Sequence, residues 1–575
     1  MKPKKANMIV IGLDGVSYPL LQQWTAAGFL PNIGRLMSSG TFGQHRTVPN
    51  MNSAPAWTSF STGCNPGKHG IYYFYERLPG GYTIRYLNGG DCRTPRFWTR
   101  LNEAGKATGI MNVPMTYPAD PVKGFMLAGL DAPGTSSRGF SYPAGVIKEV
   151  KERGLQYMIE PGITGYVAAG NMDSALSKGF EAIDARTETL RYLQEHYACD
   201  VLVVVYRMAD VVQHYFWHFH DPTHPRYHEQ GAENYRDAVR RTYQKLDEAV
   251  GSLTGLGDDE TVYALLSDHG AGAAEGGVGF LRDFLISIGC LKTANRQAAA
   301  LGSVLRNKVA AAVKKTAGAA YRVVQKHTSR RLKERLLQLF PGMRNMVEAT
   351  LQFSDIAWQS SQAYCARDRT ELWINMKGRE PAGTVEPGDE YRQVCAYITE
   401  RLLQWRNPGS GEPVVKRVQQ KEELYDGPCT SSAPDLLVTW HDGVYVKGVA
   451  FQETDGTLRV AAEGNPQEQM LSGKHLDEGF FLLAGPHIFH GREIAGVRIE
   501  DIAPTLLYLA DVPVPGIMDG RVITDAIDPA YLKDNPVRID AGGPGTTGVQ
   551  DSPQEYTKEE LSEIEKRLRD LGYIE

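Results

Sequence analysis

Four segments of the 575-residue chain carry Asp and His at spacings that suit a divalent cation, and a fifth carries a serine suited to attack. In Gly12-Leu13-Asp14-Gly15 an acid stands beside two glycines, so it can approach a metal with little steric hindrance, although the same tetrapeptide also makes an ordinary turn. Asp210 and His214 are four apart. On a helix they share a face and can chelate one ion, unless they merely form a polar helix start, and His218, His220 and His224 compete for the same role. In Asp268-His269-Gly270 a glycine-assisted turn lets both side chains reach one site, though the dipeptide is common. His475, in Gly473-Lys474-His475, is a lone loop histidine, a kind more often incidental than a ligand. Ser53 lies in a run of small hydroxyl residues. It can cap the helix that follows, and that position also suits catalysis, because a helix N-terminus offers free N–H groups and a positive dipole end to a phosphoryl anion.

These residues need a scaffold, and three continuous apolar runs supply one. Met8–Leu13, Val201–Tyr206 and Val262–Leu266 read as buried parallel strands covered on both faces. Helical patterns over 174–195 and 231–256 separate them, so the fold class is α/β, a central mostly parallel sheet sandwiched by helices. Such sheets bind ligands beyond the carboxyl ends of their strands, where Asp14, Asp210 and Asp268 fall.

Residues 1–280 and 350–535 are expected to form the catalytic core, with further strands near Leu372, Asp435 and Phe480 and a last core helix capped near Asp501. Residues 281–349 read as a helical insertion, a lid or cap. Arg296 to Arg344 holds twelve Lys and Arg against one acid, Glu334, which suits either a solvated basic face or contact with an anionic surface. Residues 536–575 read as a flexible linker and a terminal helix, with Thr557 and Glu560 at capping-box spacing.

Composition narrows the class. A formal charge of −5 gives no global field for nucleic acid, and 42% hydrophobic with 22% charged residues fits a globular chain. No secretion signal or membrane-spanning run is evident. Seven scattered cysteines without a Cys-x-x-Cys pair fit a reducing, cytoplasmic setting.

Taken in order, the motifs resemble the type I phosphodiesterase/nucleotide pyrophosphatase branch of the alkaline phosphatase superfamily, and within it a group of predicted phosphohydrolases and phosphomutases. Asp14-Gly15 matches its first strand end. Thr62-Gly63, Pro66 and His69-Gly70 match its Thr-Gly...Pro...His-Gly segment, whose register places the nucleophile nine residues earlier, at Ser53. His69 belongs to the part that builds the fold. The resemblance implies two divalent metal ions, zinc or else manganese: one held by Asp14, Asp268, His269 and the Ser53 oxygen, the other by Asp210, His214 and His475. It implies a phosphate-ester small-molecule substrate and a phosphoserine intermediate. Diester hydrolysis is the first expectation; phosphomonoester, phosphonate and phosphomutase chemistry use the same site. A sulfatase is disfavoured because Trp57 stands where that motif has Arg. Ile71-Tyr72-Tyr73-Phe74 lacks the phosphate-binding Asn of nucleotide pyrophosphatases. A catalytically inactive anion-binding protein is the rival class, set against intact residues at all seven positions.

Overall fold

The structure is a computed structural model describing residues 4–571, apart from 79, 83, 230, 294–352, 354–355, 367–368, 454, 465–470 and 541–555. The basic stretch 296–344 and the glycine-rich linker at 541–548 lie outside the described residues.

Along the chain run β1 (Met8–Leu13), β2 (Gly40–Arg46), α1 (Ser53–Thr62), β3 (Thr108–Met111), β4 (Phe125–Leu127), β5 (Ser141–Tyr142), α2 (Met172–Tyr197) and β6 (Val201–Tyr206). Then come α3 (Met208–His220), α4 (Ala238–Thr254), β7 (Val262–Leu266) and β8 (Gly270–Ala273). The central sheet is α/β and mostly parallel, as expected. Its middle is β7-β1-β6-β3-β4, every neighbouring pair parallel. All six residues of β1 and all six of β6 are buried.

The two-residue period of the strands divides the core. Ile9, Ile11, Leu13, Leu202, Val204 and Tyr206 join one apolar cluster with Leu190 of α2, Val212 of α3 and Leu246 of α4. Met8, Val10, Val201, Val203 and Val205 join another with Trp57 and Phe60 of α1. Helices α1 and α3 therefore cover opposite faces of one sheet, and their N-termini meet at its carboxyl edge.

In the second half of the chain strands occur where expected, but most of them build a second sheet. Strands β9 (Ala363–Tyr364) and β10 (Glu371–Ile374), helix α5 (Asp389–Leu403), and strands β11 (Val415–Gln420) and β12 (Leu436–Trp440) do not extend the central sheet. The strands form a separate antiparallel sheet in the order β9-β10-β12-β11. It has its own apolar cluster, which includes Phe284, Ile374, Ile398 and Val438. Short apolar runs do not say which sheet they join, because burial on either gives the same pattern.

Only the last expected strand returns. After β13 (Gly473–Leu476), β14 (Glu478–Ala484) enters the central sheet antiparallel to both β7 and β2. Helix α6 (Ile502–Leu509) starts after Asp501. Helix α7 (Lys558–Asp570) has the capping box of Thr557 and Glu560, and its Ile564 and Leu568 are buried in the first cluster. Among the described residues no helix is long and apolar enough to cross a membrane.

Candidate metal centre

Asp14 leaves β1 and meets α3 directly: the Asp210 N–H donates to the Asp14 carbonyl at 3.0 Å. Gly15 permits that approach. Its φ is +70°, and a Cβ there would lie 2.8 Å from the Asp210 Cβ. The Gly15 N–H donates to Asp268 Oδ1 at 3.1 Å, so a single turn ties together acids from three strand ends.

Asp268 and His269 sit where the chain leaves the sheet between β7 and β8. Strand β8 pairs antiparallel with β13, placing Ala271 opposite His475. The Gly-x-His spacing follows from packing, since a Cβ on Gly473 would come within 2.4 Å of the Gln213 carbonyl oxygen of α3. With glycine there, β13 lies against the helix. The Ser472 N–H donates to the His214 carbonyl at 2.6 Å, beside that contact.

Ser53 is the first residue of α1, and Asn52, not Ser53, is its N-cap, accepting from the Ala54 N–H at 3.3 Å. Ser53 Oγ is 3.4 Å from His269 Nε2. Where the sulfatase motif has Arg, the Trp57 indole donates to Asp14 Oδ2 at 2.9 Å.

All seven expected residues meet at this edge. Asp210 Oδ1 is 3.1 Å from His214 Nε2 and 3.2 Å from His475 Nε2. His269 Nε2 is 3.3 Å from Asp268 Oδ2 and 3.8 Å from Asp14 Oδ1. The His269 and His475 rings stack at 3.7 Å. Each imidazole points its Nδ1 at a backbone carbonyl: His214 at Gly473 (2.9 Å), His269 at Gly270 (3.0 Å) and His475 at Met51 (2.6 Å). A carbonyl can only accept, so Nδ1 carries the hydrogen and all three Nε2 lone pairs face the acids.

Among the described residues two groups have ligand atoms close enough to share one ion: Asp210, His214 and His475, and Asp14, Asp210 and His269. Asp210 belongs to both. Asp14 Oδ1 and Asp268 Oδ2 are buried without a hydrogen-bond partner. Leaving two such oxygens unpaired is costly, and a cation would satisfy them. The donor set of carboxylates and neutral imidazoles fits divalent metals.

The electrostatics agree. Burial, then the charges of Asp14 and Asp210, push Asp268 well above the usual carboxylate range. Burial acts upward on Asp210 too, but His214 and His475 outweigh it and hold that acid low. Burial and the neighbouring His269 bring His475 down to about 4, so it stays neutral and able to ligate. Asp14, Ser53 and Asp268 are fully buried, whereas His214 and His475 keep 13% and 14% of their side-chain surface. The opening is on the imidazole side.

Neither group includes His218, His220 or His224. His69 is a fold residue: its Nδ1 accepts from the Ile71 N–H, its Nε2 lies 2.9 Å from Ser59 Oγ, and burial pushes it down to about 3. Tyr73 stacks under Arg369, whose carbon lies 3.7 Å from the ring centre and whose guanidinium pairs with Glu371 of β10. The aromatic run at 72–74 thus joins the nucleophile loop to the second sheet. Sequence reasoning missed Arg207, whose only signal was its position three before Asp210 at a helix start.

This arrangement, an α/β sheet with paired carboxylates and imidazoles beside a helix-borne serine, is that of a hydrolase of phosphoric ester bonds. The family model described as type I phosphodiesterase / nucleotide pyrophosphatase matches residues 8–453, and the chain belongs to that family. His475 falls beyond the matched span. No curated protein sequence matches. Among solved structures the chain is similar to phosphonoacetate hydrolase from Sinorhizobium meliloti 1021 in complex with phosphonoacetate (12% identity, 89% of this chain and 96% of that one, TM-score 0.47). It is also similar to human ectonucleotide pyrophosphatase / phosphodiesterase 5 (11% identity, 92% and 99%, TM-score 0.44).

Proposed function

We propose that this protein is a metal-dependent phosphodiesterase in which Ser53 is the nucleophile. The observation that carries the reading is the orientation of His214, His269 and His475. Each has Nδ1 committed to a carbonyl and Nε2 turned toward buried carboxylates, an arrangement that serves a cation and little else.

Asp210, His214 and His475 would hold one ion, and Asp14, Asp268, His269 and the Ser53 oxygen the other, with Asp210 also within reach of the second ion beside Asp14 and His269. Mixed nitrogen and oxygen donors suit zinc, with manganese the alternative. When bound, the ions lower the pKa of hydroxyl groups and neutralise charge on the phosphoryl oxygens. The N-terminus of α1 orients the Ser53 hydroxyl and adds a favourable dipole for the anion. The Ser53 oxygen would bond to phosphorus as the bond to the leaving alcohol breaks and the serine proton passes to that alcohol, giving a phosphoserine that keeps the second ester group; water would then displace the serine and release the phosphate monoester. Burial of the three acids keeps bulk solvent from competing.

The substrate is a small phosphate diester; Tyr72-Tyr73-Phe74 stands where nucleotide pyrophosphatases have a phosphate-binding Asn, and Tyr73 is engaged by Arg369. A cytoplasmic setting is supported by seven scattered, buried cysteines without a Cys-x-x-Cys pair. The test is nitrophenol release from bis- and mono-nitrophenyl phosphate by wild type and Ser53→Ala. The diester should be the better substrate, and the variant should lose at least about 10³-fold. Equal rates in both proteins would remove Ser53 from its role.

A further inference from the structure

A buried cation faces this cluster of acids. Arg207 follows β6 and stands at the start of α3, with only 2% of its side chain exposed. Its Nε donates to Asp14 Oδ2 at 3.2 Å and its Nη2 to Asp210 Oδ2 at 3.3 Å. Its Nη1 donates to Glu160 Oε2 at 2.8 Å, and that carboxylate is also buried, with 4% of its side chain exposed.

The distribution of oxygens is specific. Arg207 takes Oδ2 of both aspartates, while Asp14 Oδ1 is left without a partner and Asp210 Oδ1 is left to His214 and His475. We infer that Arg207 is a positioning residue that claims one oxygen of Asp14 and one of Asp210, so that each presents its other oxygen to the metals. The inference rests on the metal reading above.

A guanidinium is suited to this task. Its donors lie in one rigid plane and can face three carboxylates at once, whereas an ammonium is a point charge that cannot hold three fixed directions. Glu160 fixes the far end of the fork and balances its charge. Simple charge neutralisation makes the opposite prediction. A nearby positive charge repels a dication, so removing or loosening a mere counter-charge should strengthen metal binding or leave it unchanged. Loss of positioning should weaken it.

The experiment titrates Zn²⁺ into chelator-stripped full-length protein against a chromophoric competing chelator, for wild type, Arg207→Lys and Glu160→Asp. Melting of each stripped protein reports folding. Arg207→Lys retains the charge and should still bind about 10–100-fold more weakly than wild type, the usual cost of losing an outer partner of a ligand. Its kcat should fall by a similar factor with KM changed less than about twofold, since Arg207 does not touch substrate. Glu160→Asp keeps the negative charge but loosens its hold on Arg207, so it should weaken Zn²⁺ by at least about threefold where simple charge balance predicts no change, and it decides the matter if the lysine variant does not fold. Normal wild-type binding with equal or tighter binding in the folded variants overturns the role of Arg207 alone. A wild type that takes up no Zn²⁺ overturns the metal reading and this inference together.

Discussion

His214 Nε2 and His475 Nε2 face each other at 2.9 Å. With both Nδ1 atoms donating to carbonyls, this is a meeting of two lone pairs, and Asp210 Oδ1 adds a third acceptor at 3.1 and 3.2 Å. Such a triangle is repulsive unless something positive stands within it. Without metal a single proton serves: burial opposes it, but Asp210 holds His214 above its ordinary range while His475 is pushed down. A divalent ion satisfies all three acceptors at once.

Stability should therefore follow metal occupancy. Stripping the protein with a chelator should lower its melting temperature by roughly 5–10 °C, and added zinc or manganese should restore it, because a ligand that binds only the folded state stabilises it. Differential scanning fluorimetry with and without chelator is sufficient. An unchanged midpoint would remove the ions from the folded state.

Gly15 is the hinge on which the site closes. In Gly15→Ala the alanine must take φ +70°, and its Cβ stands 2.8 Å from the Asp210 Cβ. Left-handed strain and the clash should together cost about 2–4 kcal/mol, measured by urea denaturation, and separate Asp14 from Asp210. Activity should fall further than stability explains. A variant of wild-type stability and rate would mean that the close approach is unimportant.

Much of this site can be read from local chemistry. Asp14, Asp210 and Asp268 each follow a continuous apolar strand, and beyond the ends of such strands a doubly covered sheet has its crevice. The i, i+4 spacing of Asp210 and His214 holds because α3 begins at Met208. What escapes such reasoning depends on pairings between distant segments. That β14 runs antiparallel beside β7, that Leu372 and Leu436 belong to another sheet, and that Arg207 reaches three acids are set by tertiary packing. Gly473 shows the boundary well. Its motif is visible, but its reason, the Gln213 carbonyl of α3, lies 260 residues away in the chain.

A remote acid gives a pH test separate from the metals. Burial raises the Glu500 carboxyl from its ordinary 4.5 to about 6. A carboxyl raised in the folded state favours folding when protonated, so its contribution is full below pH 4.5 and is lost as pH rises through 6. The difference is worth about 2 kcal/mol. Glu500→Gln should match wild type near pH 4.5 and exceed its stability by about that amount at pH 8, measured by denaturant titration. A gap that does not change with pH would contradict it.

The central claim is that residues from Asp14 to His475 share a pair of cations, and Asp210 stands in both groups of potential ligands. Elemental analysis of purified wild type and Asp210→Asn, each after equilibration with zinc and gel filtration, tests it most directly. Wild type should hold about two ions per chain and the variant fewer than one, because a neutral amide is a poor substitute for a shared carboxylate. A wild type without metal, or a variant that retains both ions, would contradict the account.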